Sequence, residues 1–233
     1  MMLALWSIVR FGVLVEIRYP VVFLSNVVST ALFLTLLLLG GRAIGVGGIE
    51  GALFITFIIL AALQAPQRAL EDSSAEPEEV YLYSIPPIAT LIFQAIGLAV
   101  RTLFSFTIVY LVMLFPLHLP PSALIDLWIY TPVAFLAGLG PGLLLGGFSL
   151  LFKKTGALVN LMAIIVLAGA FLPSWLMSSL GSYLPFSVVQ GLVRGTTDVD
   201  TVAVVCGVSL SLGTLGYAFL ERLVIRMGFS AIK

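Results

Sequence analysis

Charge is what this sequence most lacks. Of 233 residues only 9% are Asp, Glu, Lys or Arg and 61% are hydrophobic, against about 25% charged in an ordinary soluble domain. The composition is that of an all-α, polytopic integral membrane protein. Basic and acidic residues balance at 11 each, so net charge points neither to nucleic acid nor to an acidic partner. Cys206 is the only cysteine, which excludes a disulfide framework and a thiolate metal site and leaves burial in a helix. His118 is equally alone; without a second imidazole or a neighbouring carboxylate cluster no metal centre is expected.

Chemical signatures are missing too. GxxxxGK[ST], HExxH and GxSxG do not occur, and no span assigned below holds Asp or Glu. The chain is therefore expected to be no enzyme, to have no catalytic residues and to bind no cofactor of its own. A proton- or sodium-coupled carrier is disfavoured, because its ion site needs ionisable groups or broken helices near the midplane. Residues 1–9 have no basic n-region and no small-residue cleavage pattern, so the first segment is expected to stay attached.

The absence of charge is most complete over 155–193, where 39 residues follow Lys153 and Lys154 without one charged side chain. A bilayer helix needs only about 20. The surplus is broken by Pro173, Gly181 and Pro185 and carries Trp175, Tyr183 and several serines, poor material for a second straight helix. Two tightly spaced spans with a loop near 180–185 would account for it. The composition favours a full span at 157–171 followed by a re-entrant segment, 172–195, whose irregular backbone is satisfied by protein or a water-filled cavity.

The remaining chain reads in order. Residues 1–19 carry Arg10, Glu16 and Arg18 and form an interfacial helix, with Trp6 and Tyr19 at headgroup depth. The first span, 21–39, has Ser25, Asn26, Ser29 and Thr30 facing other helices. The second, 51–65, is closed by Pro66, and Arg68 marks the return to water. A surface helix running to about Gly97 bends near Arg101 into a third span, with Arg101 snorkelling to the cytoplasmic side. The fourth span, 127–152, holds GxxxG spacings at 138/142 and 142/146 and a kink-prone Pro141, suited to close packing within the chain or across a dimer. The sixth, 201–220, carries Gly207, Gly213 and Gly216. With the amino terminus inside, 9 basic residues lie in the cytoplasm and only Arg42 and Arg194 outside, which orients six spans with both termini cytoplasmic.

One stretch is charged. RALEDSSAEPEEVYLYSIPP sets Glu71, Asp72, Glu76, Glu78 and Glu79 against Arg68, a net −4, and runs at once into Val80, Tyr81, Leu82, Tyr83 and Ile85. A solvated loop explains the acid; an apolar patch rimmed by acid at a membrane surface points to a docking partner.

The order of features resembles the membrane subunit of an ABC-2 type (type V) ABC transporter, an exporter permease. EEVYLYSIPP at residues 78–87 is similar to that family's acidic loop ending in Leu-x-x-Ser-Pro. In LAGAFLPSWLMSSLGSYLPFSVVQGLVRG, Gly169, Phe171, Pro173, Leu184, Pro185 and Arg194 stand where the family has its G-x-x-x-P, its second proline and its closing arginine. The family's Arg/Glu-x-x-Gly-Thr before the loop's Leu-Glu is absent, with Ser73 to Pro77 in its place.

The resemblance implies one transmembrane domain over 1–233, with a cytoplasmic coupling element at 68–97. It implies a second permease subunit, the same or different, and separate ABC ATPase chains that bind ATP and Mg. It further implies residence in a prokaryotic plasma (inner) membrane among membrane lipid, and outward movement of an amphipathic or lipid-like cargo such as a drug, a lipid or a lipid-linked glycan. Arg68, Glu71, Asp72, Glu76, Glu78, Glu79, Tyr81, Leu82, Ser84 and Pro86 are the expected ATPase contacts. Phe171, Pro173, Trp175, Tyr183, Pro185 and Phe186 are candidates for the substrate pathway, or for an interfacial aromatic girdle. A non-transporting scaffold or a channel subunit without an ATPase is the rival function.

Overall fold

The computed structural model describes residues 20–43, 49–73, 87–152, 155–171 and 184–227. All regular structure among them is helical, in seven helices: α1 (Pro20–Ala43), α2 (Ile49–Ser73), α3 (Pro87–Leu114), α4 (Ser122–Leu151), α5 (Gly156–Gly169), α6 (Pro185–Val193) and α7 (Val199–Met227). Four stretches, in α2, α3, α4 and α7, are long and apolar enough to cross a bilayer. They mark the chain as an integral membrane protein.

α2 lies at the centre. Leu53, Phe54, Ile55, Ile58, Ile59 and Leu63 are all but fully buried, because α2 packs against α4, α3, α5 and α6. The outer helices bury one face only. α7 leaves Val204, Val208, Leu212, Leu215 and Phe219 exposed, and α1 leaves Leu24, Val28, Leu32, Leu36 and Leu39. In lipid such faces cost nothing, since acyl chains are as apolar as leucine.

Glycine sets how closely α4 approaches its neighbours. A β-carbon on Gly142 would lie 2.8 Å from Ala62 O and 2.7 Å from Leu63 O of α2, and one on Gly138 would strike Ile59 O. On the opposite face, a β-carbon on Gly140 would lie 2.7 Å from the Ser209 backbone of α7, and one on Gly213 would strike Gly140 O. The GxxxG spacing of α4 is thus used within the chain.

Two expectations about helix ends are corrected. Pro66 does not close the second span: α2 runs on to Ser73, carrying Arg68, Glu71 and Asp72 on its last two turns. Proline removes one N–H and frees the Ala62 carbonyl, and Gly142 of α4 packs directly against that carbonyl, so the helix loses one bond without losing its packing. Nor is there a separate surface helix ending at Gly97. α3 is a single helix of 28 residues, about 42 Å at 1.5 Å per residue. Its first half is held by Leu91 and Ala95 in a second apolar cluster with Ala65, Leu139, Leu143 and Tyr217. Ser25 and Ser29 are exposed, whereas Thr30 turns toward α2 and α3.

α5 has 14 residues, about 21 Å, and α6 only 9, about 13.5 Å, so neither spans a 30 Å hydrocarbon core unaided. Residues 185–191 of α6 are nevertheless all buried, wedged among α2, α4, α5 and α7. Pro185 at the first helical position needs no hydrogen-bond partner for its nitrogen. The helix stops at Gly195, whose φ of +70° and the Thr196 N–H to Gly191 O bond of 2.8 Å form a left-handed cap.

Asp198 then starts α7, accepting from the Thr201 hydroxyl and, less strongly, from backbone N–H groups, which hold its carboxyl below the usual carboxylate range. A group lowered on folding stabilises above its unfolded pKa and loses that effect as pH falls through the folded one. Asp198→Ala is therefore expected to lower the thermal unfolding temperature in detergent at pH 7, with the gap to the parent closing below about pH 4. A gap unchanged at low pH would remove the capping role.

A candidate functional site between helices α1, α2 and α3

An aromatic seam joins the first three helices. Phe54 of α2 meets Phe106 and Tyr110 of α3 edge-on, at centroid distances of 6.0 and 5.1 Å. Phe57 packs against Phe106 at 5.1 Å and Phe33 of α1 at 6.2 Å. The Tyr110 hydroxyl donates to Pro120 O, which fixes the turn between α3 and α4. In that turn His118 takes a left-handed φ of 50° and is exposed. At the same end Arg42 bonds Glu50 Oε1 at 3.0 and 3.1 Å and Leu117 O at 3.2 Å. This exposed pair is worth at most about 1 kcal/mol.

The three helices line a cleft of about 560 Å³, within the range of small-molecule sites. Phe57, Leu60, Ala61, Gln64 and Arg68 line it from α2. Leu98, Arg101, Thr102, Ser105, Phe106 and Val109 line it from α3, and Val27 and Thr30 from α1. The spacing on α2 and α3 is that of one helix face. Gln64 Oε1 accepts from Arg68 Nη2 at 2.7 Å, one turn away. Among the described residues no lining residue is acidic.

A second polar locus lies inside the bundle. Gln190 of α6 is fully buried; its Nε2 donates to Thr56 Oγ1 of α2 at 2.7 Å and to Val166 O of α5 at 3.1 Å. Thr56 donates onward to Ala52 O at 2.6 Å. Gln190 Oε1 has no partner among the described residues and points at Gly169, where a β-carbon would come within 2.7 Å of it. Nearby, Arg194 Nη2 donates to Ala170 O at the end of α5, where the helix dipole favours a cation.

The expected site residues fall into three groups. Arg68 lines the cleft, as Arg101 does, and Glu71 and Asp72 lie on the last turn of α2. Phe171, Pro185 and Phe186 are packing residues: Phe186 is 4% exposed and Phe171 adjoins the same apolar core. Glu76, Glu78, Glu79, Tyr81, Leu82, Ser84, Pro86, Pro173, Trp175 and Tyr183 lie outside the described residues, as do the interfacial helix at 1–19 and most of the re-entrant segment. Gln64, Thr102, Ser105, Thr56 and Gln190 escaped the sequence reading as site residues. Their signal was present as polar side chains at helical spacing on otherwise apolar spans. Among the described residues no three His, Cys, Asp or Glu side chains converge on a metal site. No family model, no curated protein and no solved structure matches the chain.

Proposed function

We propose that the chain is the membrane-spanning permease subunit of an ATP-driven exporter, moving an amphipathic or lipid-like cargo outward with energy from a separate ATPase. The observation that carries the reading is the position of the acidic segment. Residues 74–86 connect the end of α2 to the start of α3, and α2 and α3 are bound to each other along the Phe54, Phe106 and Tyr110 seam. A partner that pulled on this connection would move two of the long spans together, one of them the central helix. An energy source outside the chain requires a handle of that kind.

The resemblance in the acidic loop and in the Gly169 to Arg194 stretch supports the same reading. So does the charge asymmetry that puts the acidic segment and both termini in the cytoplasm. On this proposal α1 and α5 complete six spans, with the bilayer thinned around the short α5, α6 is the returning limb of the re-entrant segment, and two permease chains assemble with two ATPases.

Co-purification of an ATPase chain is the first expected result. Reversing Glu78 and Glu79 to lysine is then expected to reduce stimulation of that ATPase by the permease several-fold in the reconstituted complex. Unchanged stimulation would eliminate docking through this segment. A chain that purifies with no ATPase would favour the scaffold or channel reading.

A further inference from the structure

We infer that the cleft between α1, α2 and α3 is a hydrated recess that carries water to the middle of the bilayer. Its ligand is water, held by hydroxyl, amide and guanidinium groups set at mid-depth. The inference concerns hydration and does not depend on export.

Depth follows from the packing of α2 on α3. The apolar stretch Glu50–Arg68 of α2 has a charged residue at each end, and its middle falls at Ile59. Phe57 meets Phe106 at 5.1 Å, and Ala65 shares an apolar cluster with Leu91 and Ala95. The two helices therefore run in opposite directions, and Arg101 and Thr102, between those contacts, lie level with Leu60 and Ala61. Along α3, Arg101 stands 10 residues, about 15 Å, from Leu91 at the start of the apolar stretch Leu91–Leu114. Both measures put it near the middle of the hydrocarbon, too deep for its head to snorkel out.

At that depth the lining is polar on all three walls. Thr30 of α1, Gln64 and Arg68 of α2, and Arg101, Thr102 and Ser105 of α3 share a space of about 560 Å³, enough for on the order of 15 waters at about 30 Å³ each. Thr35, Thr56 and Thr107 return their hydroxyls to carbonyls four residues back. Among the described residues Thr30, Thr102 and Ser105 make no such bond. Phe57, Leu60 and Leu98 line the same space, but an acyl chain lying on them would leave the hydroxyls buried without partners. An arginine in mid-membrane that does not face the bundle interior faces a water-filled cavity. A bonded arginine has the same need, because a guanidinium carries five donors and one partner satisfies only some of them.

The test is thiol accessibility of the full chain in liposomes. The probe is 2-sulfonatoethyl methanethiosulfonate, which does not cross lipid, present on both faces. The parent, whose one thiol is the buried Cys206, gives the background rate. Thr102→Cys and Ser105→Cys are expected to react at least about tenfold faster than Leu212→Cys, since only the thiolate reacts and lipid suppresses it by about that factor for each pKa unit. Leu212 stands near the middle of the apolar stretch of α7, on its exposed face. Thr107→Cys, on α3 but not on the cleft, is expected to stay slow. Ala61→Cys, on the α2 wall, is expected to react as Ser105→Cys does, and decides alone should the α3 variants fail to fold. Cleft cysteines no faster than Leu212→Cys overturn the inference. Thr107→Cys matching them overturns it too, by assigning the reactivity to α3 as a whole.

Discussion

Gly213→Leu is expected to leave little folded protein, whereas Gly207→Leu, two turns earlier on the same helix, is expected to be neutral or mildly stabilising. The two positions differ only in what faces them. A β-carbon on Gly213 would strike the backbone of Gly140, with Gly140 C at 2.7 Å and Cα at 2.9 Å, whereas one on Gly207 meets nothing within 4 Å. Overpacking a core that can shift its side chains costs about 1–3 kcal/mol. Here the obstacle is another helix's main chain, so α4 and α7 must separate along their length. The expected cost is at least about 3 kcal/mol, more than a hundredfold in the folded-to-unfolded ratio. At Gly207 the gain in helix propensity, up to about 1 kcal/mol, is all that remains. Thermal unfolding and the monodisperse fraction in detergent measure both. Equal losses at the two positions would mean that α7 does not touch α4 at Gly140.

The same contacts show what could be read from the residues alone. That α4 makes close approaches was legible in the spacing of Gly138, Gly142 and Gly146. Which helices approach was not, because Gly140 and Gly147 lie on the other face and serve α7 while the first three serve α2. Pro66 misled for a related reason. A proline costs a helix one hydrogen bond wherever it stands, but whether the helix stops depends on what packs against the freed carbonyl, and that comes from a segment far along the chain.

Arg68 and Arg101 illustrate a third limit. Alone, Arg101 reads as a snorkelling side chain and Arg68 as the mark of the chain's return to water, and nothing local relates them. They become a pair only because Phe54, Phe57, Phe106 and Tyr110 bring α2 and α3 together at a register that places both on one cleft. The acidic segment, by contrast, stands out from composition alone, being the one dense run of charge in the chain.

Gln190 was the least legible residue, since an amide in an uncharged stretch looks like one more span position. Its role follows from its partners, and the second large effect is expected there. Gln190→Ala removes the donor to Thr56 Oγ1 and Val166 O and leaves a cavity among α2, α5 and α6. The unpartnered Oε1 already burdens the native state, which offsets part of the loss, so the expected cost is about 2–3 kcal/mol rather than more.

Gly169→Ala is expected to cost about 2 kcal/mol for a reason confined to that same side chain. The new methyl would sit 2.7 Å from Gln190 Oε1, and a fully buried amide can move aside only by giving up one or both of its hydrogen bonds. In the Gln190→Ala background the methyl enters the vacated space and its cost is expected to vanish, a coupling of about 2 kcal/mol in a double-mutant cycle. Thermal unfolding of the four proteins in one detergent gives that number directly. Strictly additive losses would mean that Gly169 is required by the backbone of the α5 terminus and not by the amide. Coupling would instead explain why glycine stands four residues before Pro173: it makes room for the side chain that ties the short buried helix to the centre of the bundle.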